Sequence, residues 1–319
     1  MVFTLADVTI VLPAFNAETT LGDTLKSLEP SLAEGMSLIL VDDASTDQTP
    51  QIMTQFADRW KTVSFMQMEK NVGLGRARNA AMDAVNTPLM SFIDGDDWVG
   101  ASYYKNLVRR FSDFPDLDFV RSHYIECHGA RRVLVRAAFP LCDAPFDPKL
   151  GILPDDRSTL VDQPHAWAGL YSTEFLNRHA MRFLPLQTAE DRKFVWERQV
   201  LAKKCLVAEE SRIFYRRGIG SSLTHIGDER QLDILAALKE LLAFVISSDH
   251  PEFLQKAVRQ SLAMICFHLD RFDRLLPHVQ SLMRKGGREV LLLIPPADRD
   301  EGLHRIDARR RTMLEDFLK

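Results

Sequence analysis

The sequence predicts an α/β protein in which helices flank a mostly parallel sheet, with a helical appendage at the C-terminal end. Two observations predict this class. Short apolar runs alternate with amphipathic helical patterns over the first third of the chain, which is typical of a parallel sheet buried on both faces. After Asp228, leucines recur at helical spacing without a clear strand, so we expect two units, 1–227 and 228–319.

The first four strands are predicted where β-branched and other apolar residues form short uninterrupted runs, at 8–12, 38–41, 63–68 and 89–93. The helices between them are predicted from apolar residues three or four positions apart, at 17–28, around 52–60, at 76–85 and around 104–111. Right-handed crossovers place the carboxyl ends of parallel strands on one edge of a sheet, so residues that follow these strands should meet there.

The pattern is less regular in the second third of the chain. Strands are predicted at 117–125, 131–137, 206–207 and 213–215, and helices at 173–179 and from Thr188 to about Lys204. Residues 142–164 contain four prolines and indicate a long ordered loop, a kind of segment that often carries specificity. In the tail we expect helices, with 289–294 as either a strand or a helical turn and 298–319 as a solvated helix.

The composition is that of an ordinary globular chain. Hydrophobic residues make up 46% and charged residues 26%, and the net charge of −4 gives no sign of nucleic-acid binding. The four cysteines are scattered without a CxxC pair, which argues against a zinc site and fits a reducing compartment. We see no signal peptide and no membrane-spanning stretch, and therefore expect a cytoplasmic protein, either free or peripheral at the inner face of the membrane.

Three carboxylates, Asp94, Asp96 and Asp97, directly follow the fourth predicted strand, with Gly95 among them. Carboxylates so close together repel one another unless a cation lies between them. Oxygen ligands of this type suit a hard divalent ion such as Mg²⁺ or Mn²⁺. A solvated acidic turn is the alternative interpretation of this segment.

Polar residues also follow the neighbouring strands at the same predicted edge. Asn16 follows the first strand, and Asp42 and Asp43 end the second. This convergence favours a ligand site over a solvated turn. The segment NVGLGRARN at 71–79 is not a GxGxxG fingerprint, since it follows the third strand and Ala77-Arg78 replaces the third glycine. Cations and amides at a helix start would suit phosphate, and a turn before a solvated helix face is the alternative.

Six segments in one order make the sequence resemble the family 2 inverting glycosyltransferases of GT-A fold, particularly those of bacterial polysaccharide biosynthesis. The segments, within about residues 7–222, are VTIVLPAFNAETTLGDTLKSL, VDDASTDQT, NVGLGRARNAAMDA, FIDGDDW, AEDRKFVWER and YRRGIGSS. Ala44 stands where this family usually has Gly, and Gly95 where Ser is frequent. The resemblance implies a nucleotide-diphospho-sugar transferase fold with a Rossmann-like sheet, and the tail lies outside it.

The resemblance also implies roles for single residues. The nucleotide-sugar site would be formed by Pro13, Ala14, Asn16, Asp42, Asp43, Asn71, Gly73, Arg78, Asp94, Gly95, Asp96 and Arg216. Asp96 and Asp97 would hold Mn²⁺ or Mg²⁺, with Asp97 in direct contact. Asp191 would be the catalytic base and Glu190 the second choice, while helix capping is the alternative role of Asp191. His225 is a weaker candidate for metal or phosphate, with an ordinary surface histidine as its alternative.

The resemblance therefore implies a glycosyltransferase that moves a hexosyl or N-acetylhexosaminyl group with inversion. The donor would be a nucleoside-diphosphate sugar, with UDP favoured, and the acceptor a hydroxyl of a glycan or lipid-linked molecule. A nucleotidyltransferase is one alternative, although PAFNAETT replaces the phosphate loop expected after its first strand. A non-catalytic nucleotide- or glycan-binding module is another. The helical tail leaves three roles open: packing on the catalytic domain, membrane binding and homodimerisation.

Overall fold

The first third of the chain folds as alternating strands and helices, as its apolar periodicity predicts. The structure, a computed structural model, describes residues 2–218 and 227–318. Its first elements are β1 (Val8–Ala14), α1 (Leu21–Ala33), β2 (Ser37–Asp42), α2 (Thr49–Ala57), β3 (Val63–Gln67), α3 (Leu74–Met82), β4 (Leu89–Phe92), β5 (Trp98–Val99) and α4 (Tyr103–Asp113). In α1, Leu21, Leu25 and Leu28 lie on one buried face because they are separated by one helical turn or nearly so.

The middle of the chain adds longer strands and two helices. These elements are β6 (Phe119–His128), β7 (Arg131–Val135), β8 (Gly169–Ser172), α5 (Thr173–Arg178), α6 (Asp191–Leu201) and β9 (Cys205–Arg217). The loop at 142–164 contains two short 3₁₀ turns, Pro148–Gly151 and Leu160–Asp162. The tail is helical, with α7 (Asp233–Ile246), α8 (Leu254–Leu269), α9 (Pro277–Leu293), α10 (Pro296–His304) and α11 (Ala308–Leu318).

The strands of the described residues form one sheet in the order β3-β2-β1-β4-β8-β6-β9-β5, and β7 pairs with the far end of β6. Strands β1 to β4 pair in parallel. Strand β8 runs antiparallel to both of its neighbours, β4 and β6, whereas β6 and β9 are parallel. The predicted α/β class with a helical appendage is confirmed, and the sheet is mixed, with its parallel pairings among β1 to β4 and between β6 and β9. The parallel half brings the carboxyl ends of β1, β2 and β4 to one edge.

Strand β9 corrects the prediction of two separate short strands. It is one strand of 13 residues, and its pairing with β6 shifts between Ser122 and His123. Ser122 pairs with Ala208 and His123 with Arg212, so Glu209, Glu210 and Ser211 bulge out of the ladder. These polar residues interrupt the apolar pattern, which is why the sequence indicates a break where the backbone continues.

The tail settles one open prediction and differs from another. Residues 289–294, for which the sequence allows either a strand or a helical turn, lie mostly in helix α9. The last segment forms two helices instead of one, and Leu303, Leu314 and Phe317 are buried, so it is not simply solvated. None of the described helices is both long enough and apolar enough to cross a membrane.

Helix α6 lies between two apolar clusters. The first cluster packs against the sheet and includes Phe92 and Phe194, and the second is built mainly from the tail helices. Trp196 belongs to the second cluster, and its indole nitrogen donates to the Gln260 side chain of α8 over 2.8 Å. Because residues of 1–227 complete this second cluster, the predicted division at residue 227 stays a prediction.

Candidate active site

The carboxyl end of β2 is bound tightly to the loop that precedes α3. Both oxygens of the buried Asp43 carboxylate accept backbone hydrogen bonds, from Val72 at 2.7 Å and Gly73 at 2.9 Å. The Asn71 amide donates to the Asp43 carbonyl over 3.2 Å. Burial raises the pKa of Asp43, and these amides oppose the rise. Gly73 has a φ of 89°, and a Cβ there would lie 2.9 Å from Gln187 Cγ, so the loop requires glycine.

The ends of β1 and β2 form one unit through the segment after each strand. The Thr46 amide donates to Asn16 Oδ1 over 2.9 Å, and the Ser45 amide donates to the Asp42 carboxylate over 3.2 Å. Pro13 and Ala14 are buried in β1, which leaves Asn16 as the exposed polar group at this edge. Asn16 and Ala44 have positive φ values of 49° and 58°. A positive φ is unfavourable for a residue other than glycine. Ala44 has this conformation at a position where the family usually has Gly.

The acidic turn after β4 combines one buried carboxylate with two partly exposed ones. Asp97 is fully buried, and one carboxylate oxygen accepts the Arg216 amide over 2.8 Å. The other oxygen, Oδ2, is buried and has no hydrogen-bond partner among residues 2–218 and 227–318. Burial raises the pKa of Asp97, with Asp96 and Asp94 adding to the rise. Burial and Asp94 together raise the pKa of Asp96 to about 6.

This turn fits a divalent cation. A buried oxygen without a partner, beside two further carboxylates, provides hard oxygen ligands and a local excess of negative charge. Asp96 and Asp97 are the residues that would hold the ion. Gly95 is buried between Asp94 and Asp96, and a Cβ at Gly95 would lie 2.9 Å from the Ala14 Cβ. The serine that is frequent at this position in the family would therefore crowd β1.

Arg78 joins the acidic turn to the ED pair, which is formed by the adjacent acids Glu190 and Asp191. Its side chain is 1% exposed, and its two terminal nitrogens donate to Asp94 and Glu190, each over 2.5 Å. Glu190 lies 112 residues away from Arg78 in sequence. The guanidinium also lies 5.0 Å from the ring centroid of Phe183. Arg78 was expected at the nucleotide-sugar site, and in this structure both of its terminal nitrogens are occupied by carboxylates.

The two acids of the ED pair have different surroundings. Glu190 is buried and paired with Arg78, whereas Asp191 is partly exposed and accepts no side-chain hydrogen bond from the described residues. Burial raises the pKa of Asp191 to about 6, although Arg78 and Arg192 oppose the rise. Burial and the neighbouring Asp191 raise the pKa of Glu190. Of the two, Asp191 has the free carboxylate that a base requires.

Helix capping, the alternative role of Asp191, is not observed at the start of α6. Residue Glu190 precedes the helix, and no side chain caps it. The Thr188 hydroxyl instead donates to the Arg230 carbonyl over 2.9 Å, which ties this loop to the tail. Ala189, directly before the ED pair, has a φ of 57°, the third strained backbone position at the site.

Arg216 lies beside the acidic turn, but its guanidinium forms no ion pair within 4.0 Å with Asp97 and bonds to other groups instead. Its Nε donates to the Asp96 carbonyl over 2.9 Å, and its terminal nitrogen lies 3.2 Å from Asp23. The same guanidinium covers the Trp98 ring at 4.8 Å and lines a cleft of about 410 Å³. Residues 219–222 of YRRGIGSS and His225 lie outside the described residues, so these expectations stay predictions.

Sequence reasoning missed a second cluster of metal-type side chains. His123, Cys142 and Glu209 bring one ligand atom each within 4.8 Å of one another, although no spacing in the sequence joins them. His123 Nδ1 accepts the Ala137 amide over 2.9 Å, so Nε2 carries the ring proton and donates to Glu209 over 3.1 Å. Glu209 is also paired with Arg136. This histidine has no free lone pair for a metal, and the cluster is a hydrogen-bonded contact between β6, β9 and a loop.

Comparisons with known proteins agree with this architecture. The family model described as "Glycosyl transferase family 2" matches residues 9–172, just over half of the chain. The putative glycosyltransferase EpsH of Bacillus subtilis is 31% identical over 113 residues, which cover 34% of this chain and 32% of that protein. A poly(ribitol-phosphate) beta-glucosyltransferase of Bacillus spizizenii is 23% identical over 256 residues, which cover 77% of this chain and 38% of that protein.

A solved structure extends the likeness through the tail. The crystal structure of residues 1–349 of S. aureus TarS, in complex with UDP-GlcNAc, superimposes with a TM-score of 0.77 at 18% identity. The match covers 97% of this chain and 86% of that chain. At this identity the likeness shows the fold, and it includes the tail helices as well as the sheet. The chain spans about a third of the length of the two curated relatives.

Proposed function

This chain belongs to glycosyl transferase family 2, and on that premise we propose that it transfers a sugar from a UDP-sugar to an acceptor hydroxyl, with inversion at the sugar carbon. The observation that carries the proposal is the double ion pair of Arg78. It ties the acidic turn to the ED pair, and it leaves Asp191 as the acid of that pair that has no side-chain partner among the described residues. A metal-assisted donor site and a base beside it are the two parts that direct displacement requires.

The proposed donor site is the edge formed by β1, β2 and the acidic turn. The unit of Asn16, Asp42 and Asp43 would receive the nucleoside, and the loop that Gly73 closes would cover it. The proposal is supported by the rigidity of this unit, because its carboxylates are held by backbone amides before any ligand arrives. The TarS crystal structure contains UDP-GlcNAc. This supports the proposal that the donor is a UDP-linked hexosyl or N-acetylhexosaminyl group.

The proposed transfer begins when the acceptor hydroxyl gives its proton to Asp191. A bound Mn²⁺ or Mg²⁺ at Asp96 and Asp97 would supply counter-charge for the leaving diphosphate. Arg78 holds Glu190 and Asp94 in place, so that Asp191 sits beside the acidic turn with its carboxylate free. A base in this position contributes about 10²- to 10⁴-fold to the rate.

The acceptor is proposed as a glycan, a lipid-linked sugar or a related hydroxyl-bearing polymer. The relative that acts on poly(ribitol-phosphate) supports a cell-surface polymer of this general kind. The cytoplasmic location, the lack of a nucleic-acid partner, and a membrane or dimer role of the tail stay predictions.

A nucleotide screen tests the donor assignment. Thermal melting of the full chain is measured with UDP, GDP, CDP and dTDP and their sugars, each with and without Mn²⁺. We expect UDP and a UDP-sugar to raise the melting temperature most, and only with the metal present. No shift with any nucleotide would overturn the proposal, and a larger shift with GDP would replace the donor class.

The acidic turn is tested by Asp97→Ala. We expect UDP to bind the wild type more tightly with Mn²⁺ than with EDTA, and the variant to lose that difference, because the buried oxygen at Asp97 is removed. Calorimetry measures both affinities, with Asp113→Ala, at the end of α4, as a control that should behave as the wild type. Unchanged metal dependence in Asp97→Ala would exclude Asp97 as a ligand.

A further inference from the structure

Arg192, the second residue of α6, forms no ion pair within 4.0 Å among the described residues. Its guanidinium makes no hydrogen bond and no ion pair with any residue in 2–218 or 227–318, and its Nε is buried without a partner. It directly follows Asp191, whose carboxylate is also free of partners in that part of the chain. The two side chains do not satisfy each other, because no ion pair within 4.0 Å joins them.

Such an arrangement is costly for the folded protein. Arg192 is half-buried, so its guanidinium loses part of its hydration without gaining a hydrogen-bond partner among the described residues. The first turn of a helix is also the end at which the helix dipole disfavours positive charge. Burial lowers the pKa of Arg192 even though Asp191, Glu190 and Asp162 oppose the change. By contrast, the buried Arg121 donates to the carbonyls of His165 and Ala168.

Three carboxylates, Asp191, Glu190 and Asp162, lie near enough to Arg192 to favour its charge, but none of them forms an ion pair with it. The His165 ring stacks on Trp167 at 4.6 Å and lies 5.8 Å from Tyr215. The pKa of His165 is well below its usual value, first because of burial and then because Arg121, Arg192 and Arg217 lie nearby. This imidazole is therefore neutral and adds no competing charge. Burial raises the pKa of Tyr215, and the charges of Asp97 and Asp94 add to the rise, so the aromatic neighbours of His165 extend toward the acidic turn.

We propose that Arg192 binds an anionic oxygen group of the acceptor, a phosphate or a carboxylate close to the hydroxyl that Asp191 deprotonates. The inference rests on the proposed function and narrows its substrate to anionic acceptors. A guanidinium recognises such groups through two parallel N–H donors, which would also orient the acceptor next to the base. The donor diphosphate is the other source of the same chemistry, so the experiment separates the two.

The experiment uses the full chain, saturated with UDP and Mn²⁺, and the probes glycerol 3-phosphate and glycerol. Binding of each probe is measured by ligand-observed NMR for the wild type, Arg192→Gln, Arg192→Lys and Lys193→Gln. Lys193 is the matched control, since it is the next residue of α6 and its ammonium group is paired with Glu197 over 2.7 Å. UDP affinity is measured separately for every variant.

We expect the wild type and Lys193→Gln to bind glycerol 3-phosphate and not glycerol. Arg192→Gln should weaken that binding at least tenfold, Arg192→Lys should retain part of it, and UDP affinity should not change. The melting temperature of Arg192→Gln should equal or exceed that of the wild type, because a half-buried charge without an ion pair is removed. A structural arginine would instead melt lower when replaced.

Three results would overturn the inference. Wild-type binding of glycerol 3-phosphate no tighter than that of glycerol would remove the anion site. Equal probe binding in Arg192→Gln would remove Arg192 from it. An equal loss of UDP affinity in Arg192→Gln would assign the residue to the donor. If the wild type fails to bind UDP at all, it is the proposed function that fails, which is a different outcome from all three.

Discussion

The candidate site has two halves, a nucleotide half at the ends of β1 and β2 and a transfer half at the start of α6. They differ in whether their charged groups have hydrogen-bond partners. In the nucleotide half, both carboxylate oxygens of Asp43 are held by backbone amides. In the transfer half, Asp191 and Arg192 have no side-chain partner within the described part of the chain. Unpaired charge costs stability, so the contrast separates residues that hold the fold from residues that are kept for substrate. Arg78 connects the halves.

The largest expected effect is on turnover, at Asp191. Asp191→Asn should lower kcat by about 10²- to 10⁴-fold, because the acceptor proton loses its base. Donor affinity should stay unchanged and the melting temperature should not fall, since burial disfavours the ionised carboxylate and no side-chain hydrogen bond from the described residues is lost. Glu197→Gln on the same helix is the control and should keep its turnover. A variant with more than about a tenth of wild-type turnover would show that Asp191 is not the base.

The next effect is on stability, at the link between the halves. Arg78→Gln should lower the free energy of unfolding by about 3–5 kcal/mol, because Glu190 is left buried without its cation. Urea denaturation measures this loss. The double variant Arg78→Met with Glu190→Met should recover at least half of it, since no charge then remains unpaired. A loss below about 1 kcal/mol would mean that the ion pair does not hold the halves together.

Asp43 tests the nucleotide half of the site, where both carboxylate oxygens are hydrogen-bonded. Asp43→Asn should lower the free energy of unfolding by about 1–3 kcal/mol, because an amide NH₂ would face the N–H group of Val72 or Gly73. The same chemical change at Asp191 should leave stability unaltered. Urea denaturation of the two variants side by side gives the comparison directly. Equal losses in both would contradict the distinction between satisfied and free carboxylates.

The pH dependence of turnover gives the smallest effect. The pKa of Asp191 is raised to about 6, mainly by burial. Only the ionised carboxylate accepts a proton, so kcat should be constant well above pH 6 and fall about tenfold per unit below it. Steady-state assays at saturating donor and acceptor measure the profile. A constant kcat down to pH 4.5 would contradict this value for the base.

The sequence predicts the parallel half well because its signals are local. Asp94, Asp96 and Asp97 directly follow an apolar run, and the edge they share with Asp43 follows from the handedness of crossovers. The link from Arg78 to Glu190 spans 112 residues, and nothing local in the sequence indicates it. The role of Asp191 came only from a resemblance to known enzymes, because a carboxylate at a helix start equally suits a cap.

Two features could not be predicted for a different reason: the bulge in β9, and the lack of an ion pair at Arg192 among the described residues. Whether a charged residue has a partner depends on which elements pack around it, and that is decided by the tertiary fold. Glu209 to Ser211 interrupt the apolar pattern of β9, yet the backbone continues because β6 offers it a long parallel neighbour. The tail similarly buries Phe317, although its segment is mostly charged.

The position of α6 determines which segments can be exchanged between related proteins without loss of packing. Phe194 lies in the core of the sheet and Trp196 in the core of the tail, so one short helix belongs to two interiors. A recombinant that swaps only the tail of one relative for that of another would break the contact of Trp196 with Gln260. The natural unit of exchange therefore begins upstream of α6. New acceptor preferences should be inherited as a block containing the base, its arginine neighbour and the tail together.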